Sequence, residues 1–207
     1  MRPSDSGRAV AREAARLLYS GVCEEYKQAK EAASADLGLN AIPSNFDVAI
    51  ELDLIADEAE GEVRRELLLK MRREALVLMA VLSEFDPRLI GSVWRGTARR
   101  GSDLDIIVYC SDSNLVKSKL SSAGYSLKSI TDSITQEHSR LRSSKHIRVE
   151  LNDDVEAEIV VRPPEDREIM ERCDIYGDLK KGLKLKNLEK LMKTDPLRKF
   201  VPARKQR

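Results

Sequence analysis

Gly91 to Tyr109 reads GSVWRGTARRGSDLDIIVY, and its last seven residues, DLDIIVY, decide the fold. Two aspartates, one residue apart, sit in a Leu, Ile and Val run that otherwise has the composition of a buried strand. A lone carboxylate in such a place costs several kcal/mol unless its charge is compensated. Side chains at i and i+2 of a strand face the same way, so Asp103 and Asp105 are expected to share a face and repel. A divalent cation between them removes that cost. Mg²⁺ takes oxygen ligands, commonly one or two carboxylates plus substrate phosphates, and suits the pair. Upstream, Gly91-Ser92 is expected to end a strand and open a turn. Backbone N–H groups there, with the Ser92 hydroxyl, can cradle an anionic phosphate, and Gly91 lets it approach the backbone. Arg95, Arg99 and Arg100 supply positive charge nearby, with Arg95 the candidate phosphate contact.

A third carboxylate would complete such a site. In VEAEIVVR, residues 155–162, Val155, Ala157, Ile159 and Val161 alternate onto one face and Glu156 and Glu158 onto the other. If this strand lies beside the one carrying Asp103 and Asp105, one glutamate can converge on the pair. Glu158 is favoured because it immediately precedes the apolar IVV run, as the first acids precede theirs; Glu156 is the alternative.

Around this centre the chain changes grammar. Residues 1–85 read as helical: a first helix over the opening 34 residues, a break at Gly38 and Pro43, and a second from an N-cap at Ser44. After Gly61 a third helix carries Leu68, Met71, Ala75, Leu78, Met79 and Leu82 as one apolar stripe opposite the arginines. Residues 86–163 read as short strands: RLIGSV, LDIIVYC, YSLKSITDSITQEH, HIRVELN and VEAEIVVRP. A capped helix ending at Gly124 interrupts them, and polar SRLRSSK separates the third strand from the fourth. Residues 164–207 form a basic segment, expected to start as a helix in PPEDREIMERC and to be irregular past Pro196. His138 and His146 read as surface or packing residues, and Cys110 as a small buried hydrophobe.

Tyr176 to Arg207 carries eleven Lys and Arg against three Asp and Glu, a candidate contact for phosphates or RNA, or a solvated tail. Aromatic residues make up only 4%, which argues against a stacking platform for single strands. The three cysteines, Cys23, Cys110 and Cys173, suit neither a disulfide framework nor zinc spacing. No apolar run approaches a membrane span. A cytoplasmic protein with no membrane partner is expected.

The quoted stretch resembles the signature of the DNA polymerase beta-like nucleotidyltransferase superfamily: Gly-Ser, a turn with Arg-Gly, then Ser102-Asp103-x-Asp105 followed by apolar residues. With the helical stretch upstream it is most similar to small predicted, minimal-type nucleotidyltransferases of archaea. The resemblance implies an α+β fold, a mixed sheet flanked by helices, here with an N-terminal helical extension and a basic C-terminal segment. It implies two Mg²⁺ ions held by Asp103, Asp105 and Glu158, and a triphosphate at Gly91 and Ser92, with Arg95 and Ser102 beside it. The third acid is usually Asp in this superfamily, so a Glu here departs from the pattern. The expected function is transfer of a nucleoside monophosphate from an NTP, ATP first among the candidates, to an acceptor hydroxyl on RNA, protein or a small molecule, releasing pyrophosphate. The alternative is a regulatory, antitoxin-like or RNA-binding protein that keeps the fold with little chemistry.

Overall fold

The structure is a computed structural model that describes residues 5–137, 140–151 and 155–204, with backbone alone for 135–137 and 140–142. The described residues pack as two units. The first combines residues 5–64 with 172–179 and 201–204. The second, residues 65–171 and 180–200, contains the sheet.

In the first unit α1 (Asp5–Tyr19) and α2 (Tyr26–Asp36) replace the single opening helix expected from composition. Gly21 takes a left-handed φ of 73° and turns the chain, so that Cys23 is buried with Val10, Ala14, Leu18, Ala29 and Ala33. α3 (Asn45–Val81) begins where Ser44 caps it: the Ser44 hydroxyl accepts from the Asp47 N–H at 3.2 Å and donates to the Asp47 carboxylate at 2.7 Å. Gly61, at φ 54° and ψ −125°, interrupts the helix where a restart was expected.

The second unit is a six-stranded mixed sheet in the order β3-β4-β5-β2-β1-β6, and the fold is α+β. Its strands are β1 (Arg88–Leu89), β2 (Leu104–Tyr109), β3 (Leu127–Glu137), β4 (Arg140–Glu150), β5 (Glu156–Arg162) and β6 (Leu183–Lys184). Its helices besides the end of α3 are α4 (Gly91–Arg95), α5 (Ser113–Ser122) and α6 (Leu185–Thr194). β2 and β5 are parallel; the other pairs are antiparallel. Leu104, Ile106 and Val108 of β2 and Ala157, Ile159 and Val161 of β5 face one core with Leu68, Met71, Leu78 and Met79 of α3. Each large apolar side chain so buried is worth roughly 1.5–3 kcal/mol. The other face carries a small patch of Ile107, Tyr109 and Val160 and is otherwise polar.

Three local expectations are corrected. RLIGSV is a strand only at Arg88–Leu89, because Gly91 turns the chain at φ 68° into α4. SRLRSSK is no connection: the chain from Arg140 belongs to β4, paired with β3 along its length. Backbone pairing in a hairpin continues past the core with polar side chains on both faces. His138 lies outside the described residues. Finally, PPEDREIMERC makes only a 3-10 turn at Pro164–Glu168, with Ile169 already extended and no residue of the turn buried. A helix there would have no core to cover.

Arg72 overturns the simple picture of a stripe opposite arginines. It is fully buried, and its guanidinium donates to four carbonyls: Val93 at 3.2 Å, Trp94 at 3.2 Å, Pro196 at 2.5 Å and Arg198 at 3.0 Å. Burial pulls its pKa down to about 10, with Asp195 opposing, so the group stays charged at neutral pH.

Candidate active site

The turn and the acid strand are locked together by their backbones. The Ile90 N–H donates to the Asp105 carbonyl at 2.9 Å, which holds the start of α4 against β2. Gly91 then lies beneath the Asp105 side chain: a Cβ there would sit 1.9 Å from Oδ2. Its first N–H groups have no intrahelical acceptor, and the Ser92 carbonyl closes the turn by accepting from Thr97 N–H at 2.9 Å. Gly91→Ala therefore meets both a clash and a left-handed φ, and is expected to lower the melting temperature well beyond the effect of strain alone. Gly101→Ala, at φ 78° with nothing within 4 Å, is the control, with backbone strain of about 1–2 kcal/mol and no clash. Thermal melts of both variants check the pair.

Asp105 and Glu158 are register partners on parallel β2 and β5, so their side chains emerge side by side on the polar face. Asp103 precedes β2 and is exposed. Burial first, and then the negative charges of Asp103 and Glu158, push the Asp105 pKa up to about 7; Arg148 works against them. Asp105 thus feels both of the other acids. Among the described residues no three acidic, histidine or cysteine side chains stand close enough to make a ready-formed metal cage. A set of two or three carboxylate oxygens open to solvent fits a hard cation that completes its shell with phosphate and water.

The two glutamates differ in their partners. Glu156 pairs with Lys128 at 2.8 Å, which holds its pKa below the usual carboxylate range. Glu158 faces β4 instead: its Oε2 lies 3.2 Å from His146 Nδ1, and its Oε1 3.6 Å from Arg148 Nε. His146, expected to be a packing residue, was missed as a neighbour of the acids. The only signal for it was alternation in HIRVEL, and that needs the β4–β5 register to become informative.

The structure brings Gly91, Asp105 and Glu158 together and gives Arg95 other company. Arg95 is 4% exposed, stacks 4.2 Å from the Trp94 ring and donates to the Phe200 carbonyl at 2.9 Å. Phe200 returns its N–H to the Arg95 carbonyl at 2.8 Å. Ser102 serves the turn, its hydroxyl accepting from the Arg99 N–H at 3.0 Å. A pocket of about 430 Å³ opens elsewhere in this unit, at the carboxyl ends of β2 and β5, lined by residues that include Asp112, Ser144, Lys145 and Arg162.

Asp105 of β2 stands over a Gly-Ser turn and beside Glu158 of β5, on a mixed sheet. Residues 83–185 match the family model described as a nucleotidyltransferase domain, and the chain carries such a domain. Solved structures with a similar fold include the poly(U) polymerase Cid1 in complex with a UTP analogue (21% identity, 48% of this chain, 34% of that one, TM-score 0.33). A cytoplasmic RNA terminal U-transferase is similar over the same shares at 21% identity and a TM-score of 0.32. The chain spans about a third of the length of these proteins. None of the curated proteins matches it. No helix among the described residues is long and apolar enough to cross a membrane.

Proposed function

We propose that the protein transfers a nucleoside monophosphate from an NTP to an acceptor hydroxyl and releases pyrophosphate. The observation that carries this reading is the junction of Gly91, Asp105 and Glu158: a glycine turn held directly against the Asp105 side chain, whose register partner on β5 is Glu158. Asp103, Asp105 and Glu158 would hold Mg²⁺. Bound there, the metal would lower the acceptor hydroxyl's pKa and neutralise charge on the triphosphate.

The chain's own groups would do the rest. Backbone N–H groups at Gly91 and Ser92, with the Ser92 hydroxyl, would bind triphosphate oxygens and orient the reacting phosphorus. Asp105, ionised above about pH 7, would anchor the centre of the acid set. Glu158, at the edge facing β4, would accept the proton of the attacking hydroxyl on a carboxylate oxygen. Arg95 would act through the fold, by bracing the end of α4, rather than by touching phosphate.

Titration of each of the four NTPs with and without Mg²⁺ tests the reading. Mg²⁺-dependent binding that disappears in Asp103→Asn/Asp105→Asn supports it and identifies the base. A folded protein that binds no nucleotide would point instead to a regulatory protein built on the same fold. The third acid is tested separately. Glu158→Gln is expected to cut nucleotide turnover at least 100-fold, whereas Glu156→Gln, whose carboxylate is already matched by Lys128, is expected to stay within about twofold of wild type. The reverse order in a labelled-NTP assay would move the third ligand to Glu156.

A further inference from the structure

Beside the acids, the polar face of the sheet carries two side chains, His146 and Ser144, that the proposed transfer leaves unused. His146 and Ser144 are two residues apart on β4 and so share a face, and the antiparallel register with β5 puts that face beside Glu158. His146 Nδ1 lies 3.2 Å from Glu158 Oε2, and Ser144 Oγ lies 3.1 Å from His146 Nε2. All three residues are partly buried.

We propose that His146, oriented by Ser144, is a positioning residue that aims the Glu158 carboxylate at the metal set; the inference rests on the nucleotidyltransferase reading of that set. A carboxylate oxygen only accepts, so the imidazole proton facing Glu158 belongs on Nδ1, and Nε2 is left to accept the Ser144 O–H. Of the two neutral tautomers, only this one satisfies both contacts. The need for it follows from the side chain. Glu has one more rotatable bond than Asp, and holding it in one rotamer costs entropy that a shorter acid avoids. Of the two groups that reach Glu158, Arg148 is more than half exposed and 3.6 Å away, a weak tether. His146 is closer and better shielded, and it holds Oε2 of a carboxylate that stands beside Asp105, its register partner on β2. Partners of this kind, one bond removed from a metal ligand, commonly change metal affinity 10- to 100-fold.

The test uses Mn²⁺ alone as the probe, followed by electron paramagnetic resonance on the full chain, with wild type and Asp105→Asn as references. His146→Ala and His146→Leu are expected to weaken Mn²⁺ binding about tenfold. His146→Asn, whose amide N–H occupies the place of Nδ1–H, is expected to recover it to within about threefold. Nitrogen-15 NMR of the wild-type imidazole at pH 8.5, without metal, is expected to show the Nδ1–H tautomer, and Ser144→Ala to mix the two tautomers. Mn²⁺ affinity unchanged in His146→Ala and His146→Leu, while Asp105→Asn abolishes it, overturns the inference and leaves the metal site standing. An Nε2–H tautomer in wild type overturns it as well. A wild-type chain that holds no Mn²⁺, either alone or with an added NTP, overturns the nucleotidyltransferase reading, and the inference with it.

Discussion

Asp105→Asn is expected to make the metal-free protein more stable at pH 8 and to destroy its metal-dependent nucleotide binding. The sign follows from the direction of the shift. The folded-state pKa of Asp105 is pushed from 3.8 up to about 7, so the native state holds its proton more tightly than the unfolded chain. The contribution of this group is therefore fully present below about pH 4, is lost as the pH rises from 4 to 7, and is flat above that. A shift of about three units corresponds to at most about 4 kcal/mol. An asparagine keeps the shape and never ionises. Its advantage in EDTA should reach a few kcal/mol at pH 8, a rise in melting temperature on the order of 5–10 °C for a chain of this size, and fade towards pH 4. Urea unfolding at pH 4.5 and pH 8 checks it, and equal stability at both pH values would sink the electrostatic account. In wild type the same proton competes with metal, so Mn²⁺ affinity should climb up to tenfold per pH unit below 7 and level off above.

The second large effect is expected at Arg72. One guanidinium satisfies four carbonyls drawn from two parts of the chain, at the end of α4 and at Pro196–Arg198. Arg72→Met fills the space of the stem and leaves those carbonyls buried without donors. The expected loss is about 3–5 kcal/mol, a fall in melting temperature on the order of 10 °C. Lysine should rescue little of it, because a point charge cannot reproduce a planar fork with five donors. Turnover per folded molecule should fall too, since the Val93 and Trp94 carbonyls belong to the helix that Gly91 opens. A melt within 2 °C of wild type would show that water replaces the guanidinium.

These two residues mark the boundary of what the sequence discloses. Asp103 and Asp105 are conspicuous because carboxylates contradict their apolar surroundings, and Glu158 because alternation in VEAEIVVR assigns it a face. Local chemistry was enough to mark these acids as candidates, and the sheet class followed from the same runs. Arg72 gave no such contradiction: an arginine on a helix full of charges looks solvated, and only a carbonyl-rich neighbour from another part of the chain makes burial tolerable. Arg95 failed in the opposite direction. Its place in a glycine-rich turn suggested an anion, whereas the structure turns it inwards over Trp94 to meet Phe200. His146 became visible only through strand register, which no local pattern encodes. The break between α1 and α2 was hidden for a simpler reason, since Ala-rich composition favours helix on both sides of Gly21.

The parallel pairing of β2 with β5 also has a consequence for the order of events in folding. Parallel neighbours cannot be joined by a tight turn, and more than forty residues separate the end of one strand from the start of the other. The Gly91-Ser92 turn and Asp105 are local and can form early; Glu158 arrives only when that long loop closes. Repulsion among the acids is then withheld until the last stage of assembly. Raising the pH should leave the refolding rate nearly untouched and quicken unfolding instead, so that the charge needed for chemistry sets the lifetime of the native state and not the ease of reaching it.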